Sequence, residues 1–184
     1  MSKIGIFYGT AGGSTRAVAY RIFAKLGVER ADPPQNIGRT GPARLMRYDA
    51  MILGTPSYGF ADLPGLSCGC PDPSWEEFLA HLDGADLTGK RVALFGLGNQ
   101  QLYGNRFAGS LIQLYRFFYG HGADIVGSWS TEGYRFEHSP AVLNGRFVGL
   151  VLDQSIQPQL TAGRIDQWIG EVAPQLAAAA KVAA

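Results

Sequence analysis

The sequence predicts an α/β fold: a doubly wound, five-stranded parallel sheet with helices on both faces. Three observations carry that prediction. Short apolar runs alternate along the chain with segments of helical period. The runs are continuous rather than alternating, as in strands covered on both faces. Three of them end in glycine-bearing loops, 9–15, 54–61 and 96–104, which a parallel sheet gathers at the carboxyl edge of its strands.

The first strand covers 3–8 and feeds the loop Gly9-Thr10-Ala11-Gly12-Gly13-Ser14-Thr15 into a helix over 14–26, with Val18, Ile22 and Leu26 at i+4 spacing. A glycine-rich turn at a helix N-terminus is an anion cradle. Backbone N–H groups point inward, the helix dipole adds partial positive charge, and small residues admit close approach. Thr10, Ser14 and Thr15 add hydroxyl donors. The P-loop and dinucleotide fingerprints do not fit, and no Lys follows the last glycine. The loop therefore suits one monoester phosphate, as on a mononucleotide. An ordinary strand-to-helix connection with an N-cap Ser or Thr explains the same residues without a ligand.

Residues 27–48 are rich in Pro and Gly, which suggests a short extended segment and a short helix near Ala43–Arg47. Ala50–Leu53 is the second clear strand, ending at Gly54-Thr55-Pro56-Ser57-Tyr58-Gly59. A long loop over 60–73 precedes a helix that starts at Asp72-Pro73-Ser74 and runs through Trp75, Phe78, Leu79 and Leu82. Arg91–Phe95 is the third strand, and Gly96-Leu97-Gly98-Asn99-Gln100-Gln101-Leu102-Tyr103-Gly104 follows it. The next helix is expected to carry Phe107, Leu111, Leu114 and Phe118 on one face. Ala123–Gly127 reads as a fourth strand, 128–147 as a polar and aromatic insertion, and Val148–Leu152 as a resumed strand. The last helix covers roughly 161–180, with Ile165, Trp168, Ile169, Val172 and Leu176 inward.

At 184 residues the chain reads as one domain, 1–184, long enough for a sizeable core. A composition of 46% hydrophobic and 17% charged residues excludes a disordered or membrane-spanning class. No signal peptide is expected, because the N-terminus enters a strand almost at once. Cys68 and Cys70 are too few for a zinc site or a disulfide framework and read as free thiols of a cytoplasmic protein. Net charge is +1, unevenly spread: residues 1–47 hold eight basic and two acidic side chains, whereas 48–89 hold seven acids and no Lys or Arg. That middle stretch can form an acidic face that steers a basic partner, or can be unrelated solvated carboxylates. Neither a nucleic-acid patch nor a membrane segment is present in the sequence. His81, His121 and His138 read as surface residues, and no nucleophile–base pair or metal-ligand spacing stands out, so no catalytic residue is assigned.

Tyr58 and Tyr103 each sit on one of the other two loops. Two aromatics on facing loops can sandwich a flat ring. A planar ring with one phosphate describes FMN.

At this point the chain resembles the long-chain flavodoxins, end to end. The stretch from Thr10 to Thr15 resembles the family's [ST]-x-T-G-x-T phosphate loop, 54–59 its second flavin loop, and Phe95–Gln100 with Tyr103 its third. The runs 127–136 and 144–150 resemble the insertion that splits the last strand in long-chain members. The likeness is nearest to the flavodoxins that feed nitrogenase. The resemblance implies a flavodoxin-like sheet ordered 2-1-3-4-5. It also implies noncovalent FMN shuttling between semiquinone and hydroquinone in a low-potential electron carrier, not an enzyme. Expected partners are a flavodoxin/ferredoxin reductase or a pyruvate-oxidising donor, and an acceptor such as nitrogenase reductase, met as a monomer. The alternative on the same fold is an FMN-dependent NAD(P)H:quinone reductase. A signalling receiver domain would need an acidic pair after the first strand, and none is there.

Residue by residue, the resemblance assigns phosphate to Thr10, Ala11, Gly12, Gly13, Ser14 and Thr15. The ring falls to Thr55, Pro56, Ser57, Tyr58, Gly59, Gly96, Leu97, Gly98, Asn99 and Tyr103. Tyr58 matches the inner stacking position and Tyr103 the outer one. Gly59 matches the residue whose peptide offers its carbonyl to flavin N5. Leu97, Gly98 and Asn99 are expected to turn N–H groups toward the pyrimidine end. The chain departs from the pattern in three places. Ala11-Gly12-Gly13 lacks a threonine hydroxyl, a bond to a charged group worth about 1.5–3 kcal/mol. Asn99 stands where an acid is common. Phe60 and Ala61 replace an acid and a glycine.

Overall fold

The computed structural model describes residues 3–9 and 12–177. A parallel sheet is laid down in the order β2 (Gln35–Asn36), β1 (Gly5–Tyr8), β3 (Ala50–Thr55), β4 (Arg91–Leu97) and β5 (Asp124–Val126). This is the order expected. β1 and β3 are buried along their whole length, which is why both read as unbroken apolar runs.

The fifth strand position is shared. β5 pairs with the start of β4, Arg91↔Asp124 through Ala93↔Val126. β9 (Leu150–Leu152) pairs with its end, Phe95↔Leu150 through Leu97↔Leu152. Between the two halves the chain leaves the sheet and forms a small antiparallel sheet, β6 (Trp129–Ser130), β8 (Arg146–Phe147) and β7 (Val142–Leu143). Its aromatic residues extend the core of the main sheet. Phe107 stacks on Phe136 at 5.3 Å between ring centres and meets Phe147 at 6.0 Å and Tyr134 at 5.8 Å.

α1 (Ser14–Leu26) and α5 (Thr161–Ala177) pack against one another, and every residue expected to face inward on them is buried. The part of the last helix expected over 178–180 lies outside the described residues. α2 (Pro42–Met46) begins with Pro at its first position, where the missing N–H costs nothing. α3 (Trp75–Leu82) begins three residues later than Asp72 because Glu77 caps it, accepting the Ser74 N–H at 2.8 Å. Burial pushes the Glu77 carboxyl up, but the N–H groups of Ser74 and Leu66 outweigh it and hold the group below the usual carboxylate range.

One element differs from expectation. The helix after the third glycine-bearing loop, α4, spans only Leu111–Gly120. Phe107 continues its apolar spacing but lies in the preceding run of turns, buried in the core with its ring stacked on Phe136 of the insertion. No helix among the described residues is long and apolar enough to cross a membrane.

Candidate functional site

The three glycine-bearing loops meet at the carboxyl edge of β1, β3 and β4, as the sheet topology requires. In the first loop Thr10 and Ala11 lie outside the described residues. Gly9 donates its N–H to the Gly54 carbonyl at 2.9 Å, and Trp75 Nε1 donates to the same oxygen at 2.8 Å. A Cβ on Gly9 would sit 2.4 Å from the Trp75 ring, which is fully buried. The loop is thus seated on Trp75, a residue that sequence reading assigned only to the core. A Cβ on Gly12 would meet no atom of the described residues within 4 Å, and Gly13 takes a left-handed φ of +87° at the N-cap of α1. The first turn of α1 carries no acid.

Thr15, in that first turn, is the most informative residue. It is 1% exposed, and its hydroxyl has no hydrogen-bond partner among the described residues. A buried hydroxyl without a partner is costly, and an acceptor oxygen brought by a ligand at this loop would satisfy it.

The second loop is tied to the third loop once and to the start of α4 once. Ser57 Oγ donates to the Leu97 carbonyl at 2.7 Å, and Ser110 Oγ accepts the Tyr58 N–H at 2.9 Å while donating to the Asp62 carbonyl. Thr55 is buried and turns its hydroxyl back onto the Pro56 carbonyl at 3.0 Å, which fixes the strand end. Gly59 has φ +46°, and a Cβ there would meet an Asp62 carboxylate oxygen at 1.9 Å. Only glycine fits. Tyr58 is half-buried. Burial, together with the Cys70 thiol against its hydroxyl, pushes the phenol up to about 12.

The third loop is built by Asn99 and Asp153. Asn99 Oδ1 accepts the N–H groups of Gln101 at 3.1 Å and Leu102 at 2.9 Å, and its carbonyl accepts the Tyr103 N–H at 3.0 Å. Asp153, 1% exposed, accepts the N–H groups of Gln100 at 2.8 Å, Ser155 at 3.1 Å and Ile156 at 3.0 Å. The insertion closes the loop from outside, since the Gly104 carbonyl takes the N–H groups of Glu137 at 2.8 Å and His138 at 2.9 Å. Gly98 departs from expectation. Its N–H is spent on the Leu152 carbonyl at 3.0 Å, so what it supplies is clearance: a Cβ would lie 2.6 Å from Phe107. Gly96 packs on Leu111 in the same way.

At the rim, Arg106 lies between two exposed aromatics, with its guanidinium carbon 4.3 Å from the Phe60 ring centre and 5.1 Å from that of Tyr103. Sequence reading missed Arg106, Asp153 and Ser110. Only Asp153, a turn-forming residue directly after a strand, carried any local signal. Of the three histidines, His81 and His138 are exposed, whereas His121 is half-buried, stacks on Phe117 and stands 3.5 Å from Asp83.

The family model described as Flavodoxin matches residues 6–168. The chain belongs to the flavodoxin family. A Klebsiella pneumoniae flavodoxin is 47% identical over 172 residues, covering 94% of this chain and 97% of its own. A Synechocystis flavodoxin is 37% identical over 176 residues, covering 96% of this chain and 99% of its own. Among solved structures, a Fusobacterium nucleatum flavodoxin bound to flavin mononucleotide has a TM-score of 0.85 at 34% identity, covering 96% of this chain and 99% of that one. The three loops of this flavodoxin are therefore the parts to test for ligand chemistry, and their residues fit FMN. A buried hydroxyl without a partner among the described residues, small glycines at the loop's end and a helix N-terminus suit a phosphate. Two tyrosines on facing loops suit a ring.

Proposed function

We propose that this flavodoxin binds FMN noncovalently at the three loops and carries electrons one at a time to a larger redox enzyme. The observation that carries this reading is the Thr15 hydroxyl, buried in the first turn of α1 with no partner among the described residues. FMN, when bound, supplies the ability to take up and release single electrons. The chain's own residues bind, orient and tune it.

Gly12, Gly13, Ser14 and Thr15, with Thr10 and Ala11 before them, hold the phosphate by N–H and hydroxyl groups without a cationic side chain. Thr55, Pro56 and Ser57 set the second loop, and Tyr58 and Tyr103 flank the ring. Gly59 leaves the backbone free to change conformation beside it. Gly96, Leu97, Gly98 and Asn99 line the remaining side. Loading apo-protein with FMN and following the quench of free-flavin fluorescence tests this directly, and a chain that leaves the fluorescence unchanged refutes it.

Two residues set the charge beside the ring. Asn99 removes an anion common at this place, and Arg106 adds a cation at the rim between Phe60 and Tyr103. Both favour negative charge on a reduced ring. Asn99→Asp keeps a side-chain oxygen for the Gln101 and Leu102 N–H groups and adds only charge. The final one-electron potential is accordingly expected to be less negative in the native protein than in Asn99→Asp. Equal potentials by anaerobic titration dismiss the idea.

The acceptor we propose is of the nitrogenase-reductase kind, with a flavodoxin/ferredoxin reductase or pyruvate-oxidising enzyme as donor. The protein acts as a cytoplasmic monomer. Support for the nitrogenase assignment comes from the loop resemblance alone. The acidic stretch steers the partner and exposed Phe60 adds an apolar contact. Asp49 is paired with Lys90 at 3.8 Å, whereas Asp62, Asp72, Asp83 and Asp86 are exposed and available for steering. Partner reduction is expected to slow as salt rises, and rates independent of salt count against steering.

A further inference from the structure

The turn that follows the second loop holds two thiols face to face. The Gly65 carbonyl accepts the Cys70 N–H at 3.1 Å and the Leu66 carbonyl accepts the Gly69 N–H at 3.1 Å, so the chain doubles back on itself. Gly69, between the cysteines, has φ +83°, a conformation that a side chain there would resist. Cys68 and Cys70 Sγ stand 3.7 Å apart. Cys68 is partly exposed and rests on the Gly65 and Leu63 carbonyls at 3.3 and 3.5 Å, while Cys70 is buried.

We propose that Cys68 and Cys70 form a two-electron dithiol–disulfide site beside the flavin loop, closed by exchange with a small-molecule disulfide. Closure needs the sulfurs to move from 3.7 Å to about 2.05 Å, which side-chain rotation about the glycine turn supplies. Cys68, the accessible thiol, loses its proton and attacks one sulfur of the small disulfide. A Cys68–sulfur bond forms, and the first small thiolate leaves and takes up that proton. Cys70 then loses its proton and attacks the Cys68 sulfur. The Cys68–Cys70 bond forms, and the second small thiolate leaves and is protonated. The protein pair is oxidised by two electrons, and one disulfide is reduced to two thiols. Burial pushes the Cys68 thiol up.

The test treats the purified full chain with excess oxidised glutathione and reads intact mass, free thiols and a non-reducing gel. The expected result is a monomer lighter by two hydrogens with no titratable thiol, and a Cys70→Ser chain that keeps one glutathione adduct. A native chain that retains the adduct, runs as a disulfide-linked dimer, or keeps both thiols overturns the proposal. Closure in a chain that takes up no FMN at all refutes the cofactor reading and leaves the dithiol standing.

Discussion

Thr15→Val is expected to weaken FMN binding about 10- to 100-fold while leaving the apo-protein at least as stable, the loss corresponding to one hydrogen bond to a charged group. The two effects have opposite signs for one physical reason. In the protein alone, the Thr15 hydroxyl is buried without an acceptor among the described residues, so a methyl group of similar shape relieves a desolvation cost. With a phosphate in the loop, the same hydroxyl becomes a donor to a charged oxygen, and the methyl group forfeits that bond. Thermal melts of the apo-protein and a fluorescence titration with FMN separate the two. A residue that serves only packing would lower the melting temperature, with affinity falling no further than unfolding explains.

Asp153→Ala is expected to destabilise the protein by about 3 kcal/mol, because three backbone N–H groups lose a buried acceptor together. One of them, on Gln100, belongs to the third loop, and two, on Ser155 and Ile156, belong to the turn after β9. The carboxylate thus joins the loop that carries Tyr103 to the strand half contributed after the insertion. FMN affinity should fall with stability. Asp153→Asn, which retains one acceptor oxygen, should recover part of both. Denaturant melts of the three proteins check this, and an Asp153→Ala midpoint equal to that of the native chain would remove the carboxylate from the account.

Most of the architecture was legible in the sequence, because local and global signals agree. Val18, Ile22 and Leu26 mark the buried face of α1, and the apolar runs at β1, β3 and β4 are the strands that the sheet covers on both sides. The glycine loops could be placed at one edge because parallel connection leaves no other choice. What was not legible depends on distance along the chain. Asp153 meets Gln100 across 53 positions, and Ser110 meets Tyr58 across 52. Phe107 has the right period for α4, yet packs on Phe136 and Phe147 of the insertion. Arg106 gave no periodic signal at all. Its place between Phe60 and Tyr103 arises only when two loops converge. Cys68 and Cys70 were readable as thiols, but their facing arrangement depends on the left-handed Gly69 between them.

The most direct test of the account is stepwise anaerobic reduction of the purified protein, followed by visible absorption. The account predicts a yellow protein reduced in two resolved one-electron steps. A colourless protein that cannot be reconstituted with FMN, or a yellow one reduced in a single two-electron step, would contradict it.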